Sequence, residues 1–337
     1  MIKNIRISGI GMDGTLKRHP NTEIELINSK LKEFSMSWIE FVVEDVSSDA
    51  EEIVSKLKIQ LDSNSVLNGY YSNYEDIGNL LGVTIPLVQI KGGHVSPSPV
   101  LIYVSENSII SIHDEGAERM MNLSASSEGF LKNLPNKEGD LPERLSILLA
   151  RIIDEISERN YDTLRVLVER AQSIELELGS EKSVTAKEVS LEMSKIKRAI
   201  LTFLSAVWAT HTTIHSLRYG DAAVLTDRPE LLSRFDIVLD DINRQIQLAE
   251  QILELLSTGV NVIQTQLTNR LSTIILWLTV IGTAVLVPNT LATIFAIVPD
   301  SHLLFREMAI TIILTTIFGS VLSYRAAKRI LGGDSTN

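Results

Sequence analysis

Leu271-Ser-Thr-Ile-Ile-Leu-Trp-Leu-Thr-Val-Ile-Gly-Thr-Ala-Val-Leu-Val-Pro-Asn-Thr-Leu-Ala-Thr-Ile-Phe-Ala-Ile-Val298 contains no Asp, Glu, Lys or Arg. A second charge-free stretch, Met308-Ala-Ile-Thr-Ile-Ile-Leu-Thr-Thr-Ile-Phe-Gly-Ser-Val-Leu-Ser-Tyr324, follows it closely. As a helix the first is roughly 42 Å long, more than a hydrocarbon core of roughly 30 Å, so it spans a bilayer and projects beyond it. The second gives roughly 25 Å and spans with slight thinning, or with Arg306 and Arg325 snorkelling to the interfaces. Two buried helices of a soluble domain are the alternative, but soluble core helices seldom run this long without charge.

The segment between them, 299–307, is short enough only for a hairpin, so both ends of the pair lie on one side. Arg270 precedes the first span, and Arg325, Lys328 and Arg329 follow the second. By the positive-inside rule these basic residues put both termini in the cytoplasm and the loop, with Asp300 and Glu307, outside a cell (inner) membrane. The opening Met-Ile-Lys-Asn-Ile-Arg reads as a strand and lacks a signal peptide's apolar core.

Upstream of the first span, Phe235, Leu239, Ile242, Ile246, Ala249, Leu253, Leu256, Val260, Ile263 and Leu267 alternate steps of four and three. This heptad pattern, with no breaker before the membrane, predicts one long stalk helix entering the bilayer. Within the span the polar residues share a face: at about 100° per residue, Ser272, Thr279, Thr283 and Thr290 fall within an arc of about 40°. Asn261 and Thr265 extend that stripe below the membrane. Polar side chains inside a bilayer usually face protein or water, and several copies around an axis would let the stripe enclose water. The competing reading is that each hydroxyl bonds back to a carbonyl of its own helix. Pro288 interrupts the geometry before Thr290. Leu276, Leu286 and Ile297 lie within about 40° of the stripe and are candidates for apolar constrictions that gate by dewetting.

The first 270 residues carry charge throughout, and the mean hydropathy of +0.15 for 337 residues records the segregation of polar from apolar material. Candidate strands are Ile5–Ser8, Trp38–Val43, Val83–Ile90, Leu101–Ser105 and Ile109–His113, the last two joined as a hairpin through Glu106-Asn107-Ser108. Asp49–Leu57 reads as a helix, so a mixed sheet with interspersed helices is expected. Past Pro142, one helix carries Leu164, Leu167, Ala171, Ile174 and Leu178 on one face, and a second covers about 185–217. The expected fold class is therefore an α+β, multi-domain membrane protein. Its parts are an α/β domain over 1–135, a helical hairpin over 141–220 and a stalk helix over 228–270. The spans follow at 271–298 and 308–324 around the external loop 299–307, with a basic cytoplasmic tail over 325–337.

Composition excludes several chemistries. There are no cysteines, hence no disulfides, thiolate metal sites or Cys nucleophiles. A net charge of −11 disfavours nucleic-acid binding and suits a protein that concentrates cations. Gly9-Ile-Gly-Met-Asp-Gly14 matches the dinucleotide spacing, but no amphipathic helix follows it, so a β-turn is the better reading. His211 and His215 are four apart on a helix, without a carboxylate at the next helical spacing. Asp236, Asp240, Asp241, Glu250 and Glu254 put acid on the stalk, as metal ligands or as a solvated helix face; Asp236 and Asp240 are the metal candidates. No nucleophile–base pair and no phosphate-binding loop is present, so no enzyme and no required cofactor is expected.

The order of parts resembles the CorA family of divalent-cation channels over essentially the whole chain. Ser98-Pro-Val-Leu-Ile-Tyr-Val-Ser-Glu-Asn-Ser-Ile-Ile-Ser-Ile-His-Asp-Glu115 is similar to that family's paired strands. Leu145-Ser-Ile-Leu-Leu-Ala-Arg-Ile-Ile-Asp-Glu155 resembles the start of its long hairpin helix. Asn269-Arg270, Leu278-Thr279 and Pro288-Asn-Thr290 resemble its first span. The resemblance implies a homopentamer in a lipid bilayer whose first spans line a pore, with Mg²⁺ or another divalent cation as substrate and possible regulator. Carried over by position, Ser272, Ile275, Leu278 or Thr279, Thr283, Val287 and Thr290 face that pore, and Arg325, Lys328 and Arg329 form a basic collar at its cytoplasmic mouth. The chain departs from the family in two places. Phe295-Ala-Ile-Val-Pro-Asp300 stands where the family has Gly-Met-Asn, which implies altered selectivity. Within Phe235-Asp-Ile-Val-Leu-Asp-Asp241, Ile237 takes the place of the first Asp of the family's Phe-Arg-Asp-Val-Tyr-Asp-His. A non-conducting, membrane-anchored scaffold or sensor of the same shape is the rival reading. A proton-coupled transporter is a third, though neither span holds an Asp, Glu or His.

Overall fold

The computed structural model describes residues 1–67, 73–117, 123, 131, 134, 141–179, 186–220, 222–297 and 305–332. They form two compact units, 1–257 and 258–337.

In the first unit, seven strands build one sheet: β1 (Ile2–Gly11), β2 (Leu16–His19), β3 (Phe34–Val43), β4 (Asn73–Asp76), β5 (Leu80–Lys91), β6 (His94–Ser105) and β7 (Ser108–Asp114). The spatial order is β2-β1-β3-β7-β6-β5-β4. All neighbours are antiparallel except β3 and β7, which run parallel at the centre with Trp38 opposite Ile109 and Val42 opposite His113. Successive side chains alternate across the sheet. On one face Ile5, Ile7, Ile39, Phe41, Val43, Leu101, Tyr103, Ile110 and Ile112 are buried with Ala50, Ile53 and Val54 of α2 (Val46–Leu57). Asp45 starts that helix, its carboxylate accepting from the Ser47 N–H at 3.1 Å. Two further short helices, α1 (Ile27–Leu31) and α3 (Ser63–Leu67), lie between strands. The long helices α4 (Leu141–Gly179) and α5 (Ala186–Tyr219) pack on β5 and β6, so the sheet lies between helical layers.

Two features of this sheet differ from the sequence reading. The β5–β6 hairpin is twelve residues a side and turns at Gly92-Gly93, whose φ angles of 58° and 83° are the positive values a two-residue hairpin turn needs. Pro97 and Pro99 lie within β6 because β7 pairs only with Leu101–Val104, leaving that end of β6 at an edge where a missing N–H is tolerated. The Gly9–Gly14 stretch is the end of β1 and its turn into β2, with Asp13 accepting from the Thr15 N–H and hydroxyl. A Cβ on Gly9 would lie 2.2 Å from the Met36 carbonyl oxygen, so the glycine serves close strand pairing.

The free edge of β5 is completed by a side chain. Asn160 of α4 accepts from the Val88 N–H at 2.7 Å and donates to the Pro86 carbonyl at 3.1 Å, as a neighbouring strand would. Thr163 donates to the Val88 carbonyl at 2.8 Å. All of these groups are buried, so Asn160→Ala leaves a strand N–H and C=O without partners and is expected to cost about 3 kcal/mol in denaturant unfolding of the full-length protein. A loss below about 0.5 kcal/mol would contradict this role.

Asp114 ends β7 and ties three strands together. Its carboxylate accepts from Gln89 (3.0 Å), Lys91 (2.8 Å), Ser98 (2.9 Å) and the Gly116 N–H (2.9 Å). Burial alone would raise its pKa, but the bonds from Lys91, Gln89 and Ser98 outweigh it and hold the carboxyl below the ordinary 3.8. A carboxylate depressed in the folded state stabilises fully above its unfolded pKa and loses that contribution as pH falls through the folded value. Asp114→Asn should therefore lower stability at neutral pH by about 1–3 kcal/mol and flatten the decline below pH 3.8, read from denaturation curves at stepped pH.

The helix α6 runs from Pro229 to Ile297, and α7 from Phe305 to Gly332. Phe235, Leu239, Ile242, Ile246, Ala249 and Leu256 of the heptad seam are buried in the first unit, together with Ile252, which falls outside the heptad. In the second unit Leu267 is 45% exposed. The α6 helix holds a window of mean hydropathy 2.1 with none of it buried, long and apolar enough to cross a membrane. Ala309–Arg325 of α7 is a shorter apolar segment.

Candidate cation pathway

The polar stripe of α6 is exposed or half-buried along its length. Asn261, Thr265, Thr279 and Thr290 are exposed, and Ser272 and Thr283 are half-buried. On the opposite side Ile274, Ile281 and Val285 are 61%, 58% and 64% exposed. One face carries the hydroxyls and the other is apolar, with Trp277 55% exposed beside its aliphatic side chains.

Each threonine of the stripe donates its proton backward along the helix. Thr265 donates to the Asn261 carbonyl at 2.9 Å, Thr279 to Ile275 at 2.8 Å, Thr283 to Thr279 at 2.6 Å, and Thr290 to Leu286 at 2.8 Å. Back-bonding and an outward-facing polar stripe, which look like alternatives in the sequence, are compatible. A hydroxyl has one proton and two lone pairs. With the proton spent on a carbonyl, the oxygen presents only acceptor capacity outward. An acceptor-only surface suits a cation, or the outward-pointing protons of the water around one, and offers nothing to an anion. Thr268 and Thr293 behave alike, donating to Gln264 and Asn289 at 2.9 and 2.8 Å. They fall within about 60° of Ser272 and are absent from the residues singled out by sequence, because the 40° arc excluded them.

Of the apolar candidates, Leu276 is half-buried and Leu286 is 66% exposed. Ile275 and Leu278, named by resemblance, are 62% and 70% exposed. Val287 and Ile297 belong to α6, but their side chains lie outside the described residues, as does Asp300. Glu307 is exposed in the first turn of α7, where a carboxylate complements the helix dipole. Arg325 is exposed near the other end; Lys328 and Arg329 are in α7, their side chains outside the described residues.

The stalk carboxylates do not converge. Asp236 receives the Arg218 Nε–H at 3.0 Å on both oxygens, whereas Asp240 is exposed. Among the described residues no group of three or more His, Asp or Glu is placed to hold a metal ion. His211 and His215 stack at 6.5 Å between Trp208 and Tyr219 on α5, and burial together with the neighbouring His215 pushes the His211 pKa down.

The family described as "CorA-like Mg2+ transporter protein" matches residues 33–325. Among solved structures, the chain is similar to the complete CorA magnesium transporter of Methanocaldococcus jannaschii, at 14% identity and a TM-score of 0.69, with 98% of each chain covered. The full-length CmaX protein aligns at 13% identity and a TM-score of 0.61, over 97% of this chain and 98% of that one. The ZntB cytoplasmic domain of Vibrio parahaemolyticus RIMD 2210633 aligns at 12% identity and a TM-score of 0.58, over 80% of this chain and all of that one. At these identities the structures speak for the fold, and no curated protein matches the chain in sequence. A family match running from β3 to the end of the second apolar segment, on a sheet domain followed by long helices, places this chain in the CorA-like Mg²⁺ transporter family.

Proposed function

We propose that the chain assembles as a homo-oligomer, five copies by resemblance, and passes divalent cations, Mg²⁺ foremost, down their gradient through a pore lined by α6. In this reading 271–298 and 308–324 both cross the cell membrane, the termini are cytoplasmic and no cofactor is required. The observation that carries it is the stripe itself. Thr279, Thr283 and Thr290 turn their protons into the helix and present acceptor oxygens on one side of a charge-free segment, and Thr265 continues that side below it. Lipid cannot pair those oxygens, whereas a ring of copies surrounds them with water. Mg²⁺ sheds its water reluctantly, and a wall of acceptors can hold the hydrated ion without stripping it. Asp300 and Glu307 would concentrate cations at the outer mouth, and Arg325, Lys328 and Arg329 would ring the inner one. Asp236 and Asp240 are the stalk positions for regulation by the transported ion, with Arg218 as the competitor any ion must displace at Asp236.

Purified protein in proteoliposomes tests this: Mg²⁺ should enter passively, without an imposed proton gradient, and Na⁺ far more slowly. Uptake no faster than in protein-free vesicles would sink the proposal and favour the scaffold reading. That rival has its own observation, since Leu286 is 66% exposed beside the stripe and a ring of leucines closes a narrow pore to water.

A further inference from the structure

One exposed face of α5 carries a ladder of rings. Trp208, His211, His215 and Tyr219 follow one another at steps of three and four, with successive ring centroids 5.7, 6.5 and 4.6 Å apart. Trp208 and Tyr219 are 48% and 63% exposed, His215 is exposed and His211 is half-buried, so solvent reaches the pair. Neither imidazole makes a hydrogen bond or ion pair with a described residue. The other four histidines stand singly in the sequence.

A ring nitrogen gives its lone pair to a metal only when it is unprotonated. Burial, and then the neighbouring His215, push the His211 pKa below the ordinary 6.5, so His211 is neutral at pH 7. Residues four apart lie one above the other on a helix, the spacing at which two imidazoles reach one ion. The two rings already lie within 24° of parallel. Metal–nitrogen bonds of roughly 2.0–2.1 Å bring two ring centroids to roughly 5 Å, a closure that exposed side chains reach by turning about their own bonds.

Imidazole suits Cu²⁺, Ni²⁺ and Zn²⁺, whereas Mg²⁺ takes oxygen ligands. The neighbouring helical positions hold Val207, Trp208, Arg218 and Tyr219, with no carboxylate to admit a harder ion. We propose that His211 and His215 chelate one divalent transition-metal ion of the Cu²⁺, Ni²⁺ and Zn²⁺ class at an open site on α5, with water completing its coordination. The ion sits one turn from Arg218, whose guanidinium holds Asp236 of α6 at 3.0 Å and lies 5.0 Å over the Tyr219 ring. Two added positive charges there repel the guanidinium and pull against its bond to α6. The site therefore answers to a different class of cation from the one proposed for the pore, and its test does not depend on conduction.

Trp208 makes binding visible, because an open-shell ion quenches a nearby indole. Full-length protein in detergent, titrated with Ni²⁺, should lose emission saturably at one ion per chain. Trp208→Phe, which leaves Trp38 and Trp277 as the remaining indoles, should abolish the saturable part. Closed-shell Zn²⁺ should displace Ni²⁺ and restore emission, Cu²⁺ should half-saturate at a lower concentration than Ni²⁺, and Mg²⁺ at about 10 mM should do neither. His211→Asn and His215→Asn should each raise the half-saturating concentration about tenfold or more; if the half-buried His211 variant does not fold, the exposed His215 variant carries the same expectation. The proposal is overturned by absence of saturable quenching up to about 1 mM Ni²⁺, by a half-saturation that folded His215→Asn leaves unchanged, or by full displacement with Mg²⁺.

Discussion

Replacing Thr283 by Leu should lower Mg²⁺ uptake into proteoliposomes by about tenfold or more, while Thr283→Ser retains it and Ile281→Leu stays within about twofold of the unaltered protein. Thr283 lies mid-stripe, its hydroxyl bonded to the Thr279 carbonyl at 2.6 Å with its remaining lone pairs outward. In a symmetric ring one substitution appears once per copy, so a single change replaces a whole layer of acceptors with a greasy constriction. Serine keeps the back-bond and the outward acceptors. Ile281 is 58% exposed on the opposite, aliphatic face and can be exchanged without touching the water column. Equal loss from Thr283→Leu and Ile281→Leu would point to general destabilisation of the helix, and no loss from either would remove α6 from the pathway.

The second large effect is expected in the centre of the sheet. Glu40 of β3 and His113 of β7 are both fully buried, with Nε2 and Oε1 3.1 Å apart. Arg6 of β1 donates to the other Glu40 oxygen at 3.3 Å, and His113 Nδ1 donates to the Asp114 carbonyl at 2.8 Å. Three strands are thus joined by an ionic chain whose centre, Glu40 and His113, is shut away from water, with Arg6 half-buried at its end. Removing Glu40 leaves the buried His113 without that partner and takes one partner from Arg6, so Glu40→Leu should cost about 3–5 kcal/mol in urea unfolding of the detergent-solubilised protein. Glu40→Leu combined with His113→Leu should recover much of that loss, because a matched apolar pair leaves less charge unpaired. Purely additive losses would show that the two side chains act independently.

The contrast between the stripe and the ionic chain shows what a sequence makes legible. Four of the six hydroxyl residues in the charge-free run 271–298 share one narrow face, and a single helix fixes their angular relation, so no tertiary knowledge is needed. Glu40 and His113 are 73 positions apart, and their contact depends on β3 and β7 pairing parallel at the sheet centre. A lone Glu inside the apolar run Trp38–Val43 was the one available signal. The strands that a run of apolar residues marks, Trp38–Val43 and Ile109–His113 among them, were readable. Leu16–His19 and Asn73–Asp76 were not, since both are short edge strands of mostly half-buried polar residues without alternation. The first half of β6 was hidden by Pro97 and Pro99, which read as loop until the edge position is known.

The absence of cysteine makes the central claim directly measurable, since any single cysteine introduced is the only thiol. Cysteines placed one at a time at Thr279, Thr283 and Thr290, and at Ile274, Ile281 and Val285 as controls, can be treated with a charged, membrane-impermeant thiol reagent in proteoliposomes while Mg²⁺ uptake is followed. Acceptors that face a common water column should make the first three positions reactive and their modification should stop uptake, with the aliphatic three inert. Reactivity on the aliphatic face, or threonine positions that stay silent while uptake continues, would contradict a pore lined by the hydroxyl stripe.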